Sequence, residues 1–423
     1  GNLSYNIEMS RALERESNGE ARVIPIILRP CDWQDAPFGH LQALPTDGNP
    51  VTTWQHADEA FTSIAAAIRA VVQAWRETFS LPPTPFLETG AMPIDSPFYV
   101  ERAADSYIAH LLTQPGQTII IKGSRQSGKS SLLNRLHVND DSIASCFLDL
   151  QAFSPDAMQD SDRLFQRLAH TMAEEFAIDI QVRTIWRPDD DPQQNLTRFV
   201  EELLITLATQ GKMVRFLLDE ADRVFAFAPT RDSLFSLLRS WHNRRARPTR
   251  PYWRHLDLVI AHATEPALWL PDPYQSPFNV GMQVRLDDFD TNQIYDLSRR
   301  YPSTPPSLQR AELDRLVDLI GGHPFLVRAA FHAMAEQQLA VAELERIATE
   351  AQGPFSSHLH YCLWVVLEHV DIKEALRQVM NHGVCENEMH YQRLWAAGLI
   401  SGDRRSQVSM RCKLYHDYFQ DRL

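Results

Sequence analysis

The stretch Gly123 to Ser131, GSRQSGKSS, is entered from the apolar run Thr118, Ile119, Ile120, Ile121 and left through Leu132, Leu133 and Leu136. A β-branched run, a glycine loop and apolar residues at helical spacing predict strand, loop and helix in that order. Gly123, four residues, then Gly128, Lys129 and Ser130 is the spacing of a phosphate-binding loop. Glycines at its two ends let backbone N–H groups close around phosphate oxygens. Lys129 supplies positive charge to the outer phosphates, and the Ser130 hydroxyl reaches Mg²⁺. The whole of Gly123, Ser124, Arg125, Gln126, Ser127, Gly128, Lys129, Ser130 and Ser131 is therefore the candidate cradle for a nucleotide, with the helix N-terminus adding its own attraction for anions.

Working outward, the second half of that chemistry lies about ninety residues on. The strand-like run Val214, Arg215, Phe216, Leu217, Leu218 ends in Asp219-Glu220-Ala221-Asp222. At the C-terminal edge of a parallel sheet Asp219 would hold the Mg²⁺ shell, and Glu220 would orient or deprotonate a water. An acidic strand end also serves as a helix N-cap, so it is the pairing with the loop that gives it weight. The two strands are expected side by side. Two further strands are predicted over 144–150 and 256–261. At the tip of the latter, Thr264 is the candidate sensor of the terminal phosphate and His262 the second, against a reading as plain loop capping. The arginine-rich stretch 239–254 offers an arginine finger or a solvated helix end.

The segment 81–97 carries five prolines and no apolar period, which predicts an extended linker. Before it, 7–16 has helical spacing, Val23 to Leu28 reads as a strand buried on both faces, 51–54 as a short strand, and 58–75 as a helix with Phe61, Ile64, Ile68, Val71 and Val72 inward. Too few strands are present there for a sheet.

Across the 423 residues the formal charge is −13 and is dispersed, which favours solubility and argues against binding nucleic acid nonspecifically. The five cysteines are far apart with no CxxC pair, fitting neither a disulfide framework nor a zinc site. With no apolar run of bilayer length and no signal-peptide pattern at the first residues, a cytoplasmic location is expected. The length suits two to four domains.

Two family resemblances attach to these segments. IEMSRALERE, ARVIPIILRPCDWQDAPFGHLQALPTDG and DEAFTSIAAAIRAVV resemble the C-terminal half of a bacterial TIR domain. This implies a partial flavodoxin-like α/β domain over 1–76. Glu8 matches the family's glutamate that attacks or steers NAD⁺. The family's first strands and NAD-closing loop have no counterpart here, so NAD⁺ cleavage is expected only with the missing half present. From Phe98 onward, PFYVERAADSYI, the glycine loop, FLLDEADRVF, VIAHATEPALWLPDPYQSPFNVG, LDDFDTNQIYDLSRRY and LIGGHPFLVRAAF resemble, in order, the AAA-like ATPases of the STAND class.

The second resemblance implies an α/β P-loop NTPase core with a five-stranded parallel sheet over 98–285, a helical lid over 286–352 and a winged helix over 353–423, behind a linker at 77–97. It also implies ATP or ADP with Mg²⁺ as cofactors and a homo-oligomer on activation. The GGHP turn would bring His323 and Pro324 to the phosphates, although a helix C-cap and a helix-starting proline use the same residues. The function implied is a slow ATPase switch governing a TIR effector in signalling or antiphage defence. The alternative is an origin-type ATPase that binds DNA through its winged helix, with Arg404, Arg405 and Arg411 on phosphates. The neighbouring Glu386, Glu388, Asp403, Asp417 and Asp421 leave that module without one basic face.

Overall fold

A computed structural model of the chain describes residues 9, 11–13, 15–16, 22–45, 48–54, 56–78, 87–88, 90–178, 180–264, 266, 277–301 and 308–423. It divides into two units, 1–84 and 85–423.

In the first unit the described residues between 9 and 16 are helical, and Ala57–Thr78 forms a long helix. The rest departs from the sequence expectation. Val23 to Leu28 makes only an isolated parallel bridge, Ile26 to Leu44, and 51–53 is a turn of 3₁₀ helix rather than a strand. Pro25 has no N–H to donate, and the stretch alternates, with Ile27 buried between the exposed Ile26 and Leu28. Phe61, expected inward, is also exposed; the small core is Leu44, Val51, Ala60 and Ile64. No sheet forms in this unit among its described residues. Glu8 lies outside the described residues.

The second unit is built on five parallel strands: β1 (Thr118–Lys122), β2 (Ile143–Asp149), β3 (Met213–Asp219), β4 (Leu256–His262) and β5 (Met282–Arg285), in the order β2-β3-β4-β1-β5. Alternation distributes their side chains to two cores. Ile119, Ile121, Val259 and Ala261 pack on one face with Leu132 and Leu133 of the loop helix. On the other, Ile120, Phe216, Leu258 and Ile260 pack with the helices Ser161–Glu175, Pro192–Thr209 and Ala228–Arg244. Each such buried side chain contributes about 1.5–3 kcal/mol. The helix Pro192–Thr209 starts where the Asp191 side chain accepts Gln193 N–H and Pro192 takes the first helical position.

One expectation is corrected by the strand order: β1 and β3 are not neighbours, since β4 lies between them. The loop helix Lys129–Leu136 bridges the gap by packing over both β4 and β3. The fifth strand had no residues assigned from sequence; β5 is four residues long with only Val284 buried, too little alternation to read.

Beyond the sheet come the helices Thr291–Ser298, Arg310–Ile320, Pro324–Gln337 and Val341–Ile347, then Ser356–Leu367, Val370–His382 and Glu388–Ala396. A hairpin, β6 (Ile400–Arg404) and β7 (Gln407–Met410), and the helix Lys413–Gln420 complete the chain. These helices and the hairpin share one core, from Phe98 and Leu316 through Phe331 and Phe355 to Tyr415 and Phe419. Residues 87–97, expected as free linker, belong to this unit, with Leu87 and Met92 packed against that core.

Candidate functional site

The loop after β1 takes a shape that glycine alone allows easily. Gly128 sits at φ +94°, directly before the helix Lys129–Leu136, and a Cβ at Gly123 would lie 2.4 Å from Ser127 Oγ. Lys129 is buried, and its ammonium donates to the carbonyls of Gly123 and Ser124, at 3.1 Å each. The lysine is thus held over the loop's mouth. Ser130 and Asp219 line the same cavity although β4 lies between their strands, so the cradle and the acidic strand tip do meet. The Ser131 hydroxyl points elsewhere and accepts Met92 N–H at 3.0 Å.

Burial pushes the Asp219 carboxyl up from its ordinary range, against the pull of Ser130, the Glu220 amide at 3.0 Å and Lys129. Glu220 is also raised by burial, with Lys129 opposing and Asp222 and Asp219 reinforcing. It sits in the left-handed region at φ +50°, a conformation a non-glycine residue adopts at a cost of about 1 kcal/mol or more. A carboxylate so raised is a better proton acceptor near neutral pH than an ordinary one.

At the tip of β4, Asp222 accepts from Thr264 N–H at 3.0 Å and Thr264 Oγ1 at 2.9 Å. His262 is buried with Nδ1 2.8 Å from the Thr264 carbonyl. Both candidate sensors are thereby engaged in fixing the strand tip, and neither lines the cavity described next. Of the 239–254 arginines, Arg245 is buried on Thr118 and the Gln117 carbonyl, while Arg244 and Arg250 share Glu201. These side chains tie a helix to the sheet.

A cavity of about 410 Å³ opens over the loop, within the range of small-molecule sites. Its phosphate end is Arg125 to Ser131 with Asp219 and Glu220; its other walls are Met92, Phe98, Tyr99, Val100, Phe147, Phe289, Pro324 and Phe325. Phe98, Tyr99, Val100, Arg102 and Pro324 reach it, whereas His323 is buried and does not line it. Two lining groups escaped the sequence reading. Asp149 ends β2 opposite Asp219, carrying the same signal of an acid after an apolar run. Arg328, on the lid helix, is buried against Glu88 and Tyr301. A second cavity of about 630 Å³, between the β1 and β5 ends and the wing, has Lys122, Arg285 and Arg405 facing Glu388 and Asp403 and contains no phosphate loop.

The opposite side of the loop is occupied by the C-terminal helices and the segment after β7. Arg411 donates to Ser124 Oγ at 2.6 Å while pairing with Asp288. Arg125 donates its backbone N–H to the Ala396 carbonyl at 2.9 Å and lays its guanidinium 4.3 Å from the Tyr361 ring. Beneath, His323 and His358 lie with ring centroids 5.9 Å apart. Burial holds His323 well below the ordinary imidazole range, helped by Arg411 and His358; burial with Arg125 and Arg411 brings His358 down to about 4.

Comparison with known proteins places this arrangement. The model of the family described as AAA-like domain matches residues 87–421. Among solved structures, the Walker-type ATPase PABY2304 of Pyrococcus abyssi superposes with a TM-score of 0.55 at 16% identity, covering 80% of this chain and 99% of that one, a likeness of fold. The protein y4lF of Sinorhizobium fredii is 56% identical over 79 residues, and the WD repeat-containing protein slr0143 of Synechocystis is 26% identical over 261. These matches cover 19% and 60% of this chain, and they span only 24% and 21% of the lengths of those two relatives. Among the described residues no helix is long and apolar enough to cross a membrane.

Proposed function

Because the chain belongs to the AAA-like domain family, we propose that it is an ATP-operated switch of the STAND type, in which nucleotide at the loop sets how the lid and winged helix lie. The observation that carries this reading is the seating of the winged helix on the loop itself. Ser124 and Arg125 belong to the phosphate cradle, and the same two residues hold Arg411, Ala396 and Tyr361. A ligand that draws the loop around its phosphates changes those contacts, and the shared core carries the change through lid and wing together.

The residues suit the expected chemistry. Loop amides and Lys129 bind the phosphates. Ser130 and Asp219 are hard oxygen donors on one cavity and would hold Mg²⁺, which when bound neutralises charge between the outer phosphates. Glu220 takes the proton of the attacking water. Turnover is slow and resets the switch. Thr264 acts on the nucleotide indirectly, through the strand tip that it fixes with Asp222, and Pro324, which lines the cavity next to the buried His323, carries the phosphate state to the lid. The N-terminal unit is read as the TIR-type output, clustered by assembly of like chains in signalling or antiphage defence. It cleaves NAD⁺ through Glu8 only in a chain that carries the family's remaining half. Two of the three arginines of the DNA-binding alternative are engaged, Arg411 on Ser124 and Asp288 and Arg405 on Glu388, which favours the clamp.

Lys129→Ala is the test. Loss of a charge-assisted contact predicts ATP affinity about 10- to 100-fold lower by calorimetry, and no ATP-dependent change in mass by light scattering. Unchanged affinity overturns the reading.

A further inference from the structure

We propose that Asp149 is a second carboxylate of the metal-binding edge, acting with Asp219 on the water shell of the divalent cation that accompanies the nucleotide. The inference rests on the ATP reading above and adds to it a ligand-positioning residue that neither loop nor strand motif includes.

Three observations carry it. Register fixes the place: β2 and β3 run in parallel with Asp149 paired to Asp219, so both acids end adjacent strands at the same level. Both line the cavity that holds Ser130 and Lys129. The third is the grouping of charge: Asp149, Asp219 and Glu220 gather at this end of the cavity, where Lys129 turns its ammonium onto the carbonyls of Gly123 and Ser124 and Arg125 also lines the wall. Carboxylates at two adjacent strand tips suit a divalent cation, and Mg²⁺ characteristically uses one or two carboxylates and keeps several waters.

The plainer role for Asp149 is the cap it provides: its Oδ1 accepts Gln151 N–H at 2.8 Å, starting the turn Leu150–Ala152. That bond occupies one oxygen. Asparagine caps as well as aspartate does, so Asp149→Asn keeps the cap and removes only the charge.

The experiment is Mn²⁺ binding to the full chain, followed by electron paramagnetic resonance with ADP present, alongside ADP affinity measured in EDTA. For Asp149→Asn the expected result is Mn²⁺ affinity lowered about tenfold, with metal-free ADP affinity unchanged or higher because a negative charge has left the phosphates' surroundings. An unchanged Mn²⁺ isotherm beside intact ADP binding overturns the assignment of Asp149 alone. Equal loss of both affinities also overturns it, in favour of a structural role. A wild-type chain that binds neither ADP nor ATP overturns the nucleotide reading and this inference with it.

Discussion

The two sides of one nine-residue loop behave differently. Toward the cavity, Lys129, Ser130 and the acids beyond them form a chemistry set by local spacing: a loop of fixed length and an acid at a strand tip. Toward the C-terminal helices, Ser124 and Arg125 meet Arg411, Ala396 and Tyr361, partners 236 or more residues away in sequence. The first side carries the chemistry of a phosphate loop. The second ties the loop to the end of the chain, and the difference teaches that such a site is recognised from its motif while its ties to the rest of the fold lie in contacts the motif does not contain.

The largest effect that would sharpen this contrast comes from Arg411→Ala. The side chain is nearly buried, and its removal strands Asp288 beside Ser124 without its cation. Breaking such a pair costs about 3–5 kcal/mol in a dry interior and less here, where Asp288 is a third exposed. The loop's inward side is untouched. Nucleotide should therefore still bind, with dissociation about tenfold faster in stopped flow, and hydrogen exchange of the Arg125 amide should accelerate as its bond to Ala396 opens. Unchanged exchange at Arg125 would mean that the two sides of the loop are uncoupled.

How much was legible follows the same division. The core strands β1 to β4 and the glycine loop after β1 were readable because alternation, glycine spacing and acidic strand tips are local signals. The order of the strands was not: no residue on β1 or β3 states that β4 will lie between them, and only the packing of the loop helix across both restores Ser130 to Asp219. Proline density misled at 87–97, where chain without helical or strand period nevertheless lies down on an apolar core through Leu87 and Met92. Arg411 looked like a phosphate contact for DNA because charge is visible in sequence and burial is not; its partner Asp288 lies in the lid connection. Asp149 was readable in principle and was passed over as the mere end of a strand.

A second, smaller effect separates the sides by pH. His358 faces Tyr415, Phe325, Cys362 and His323, with Arg125 and Arg411 close enough to disfavour its charge. Its folded value, about 4, lies below the ordinary 6.5, so the unfolded chain binds the proton first. The stability this contributes is present above pH 6.5 and is lost as pH falls toward 4, a drop of about 3 kcal/mol over the whole window and about 2 kcal/mol by pH 5. His323, also depressed, adds in the same direction. Because carboxylates titrate in the lower part of that window, the informative quantity is the difference between wild type and His358→Phe from pH 7 to pH 5, by urea unfolding. The variant should lose less. Parallel curves would remove the histidine pair from any account of the clamp.

The smallest effect belongs to the cavity side and has the opposite sign. Asp219 carries a folded carboxyl raised above its unfolded value, chiefly by burial. Folding therefore favours its protonated form: the gain is complete below the unfolded value and is lost as pH rises through the folded one, leaving the ionised group a net liability at pH 7. Asp219→Asn removes that liability while keeping an acceptor for the Glu220 amide. The metal-free variant should melt at a higher temperature than the wild type in a thermal unfolding scan and should lose the stabilisation that ATP and Mg²⁺ give the wild type. A site built for function holds its charge at the expense of stability, so the two changes must appear together. Lower melting without ligand would make Asp219 a structural anchor, and the cavity side of the loop would then resemble the clamp side after all.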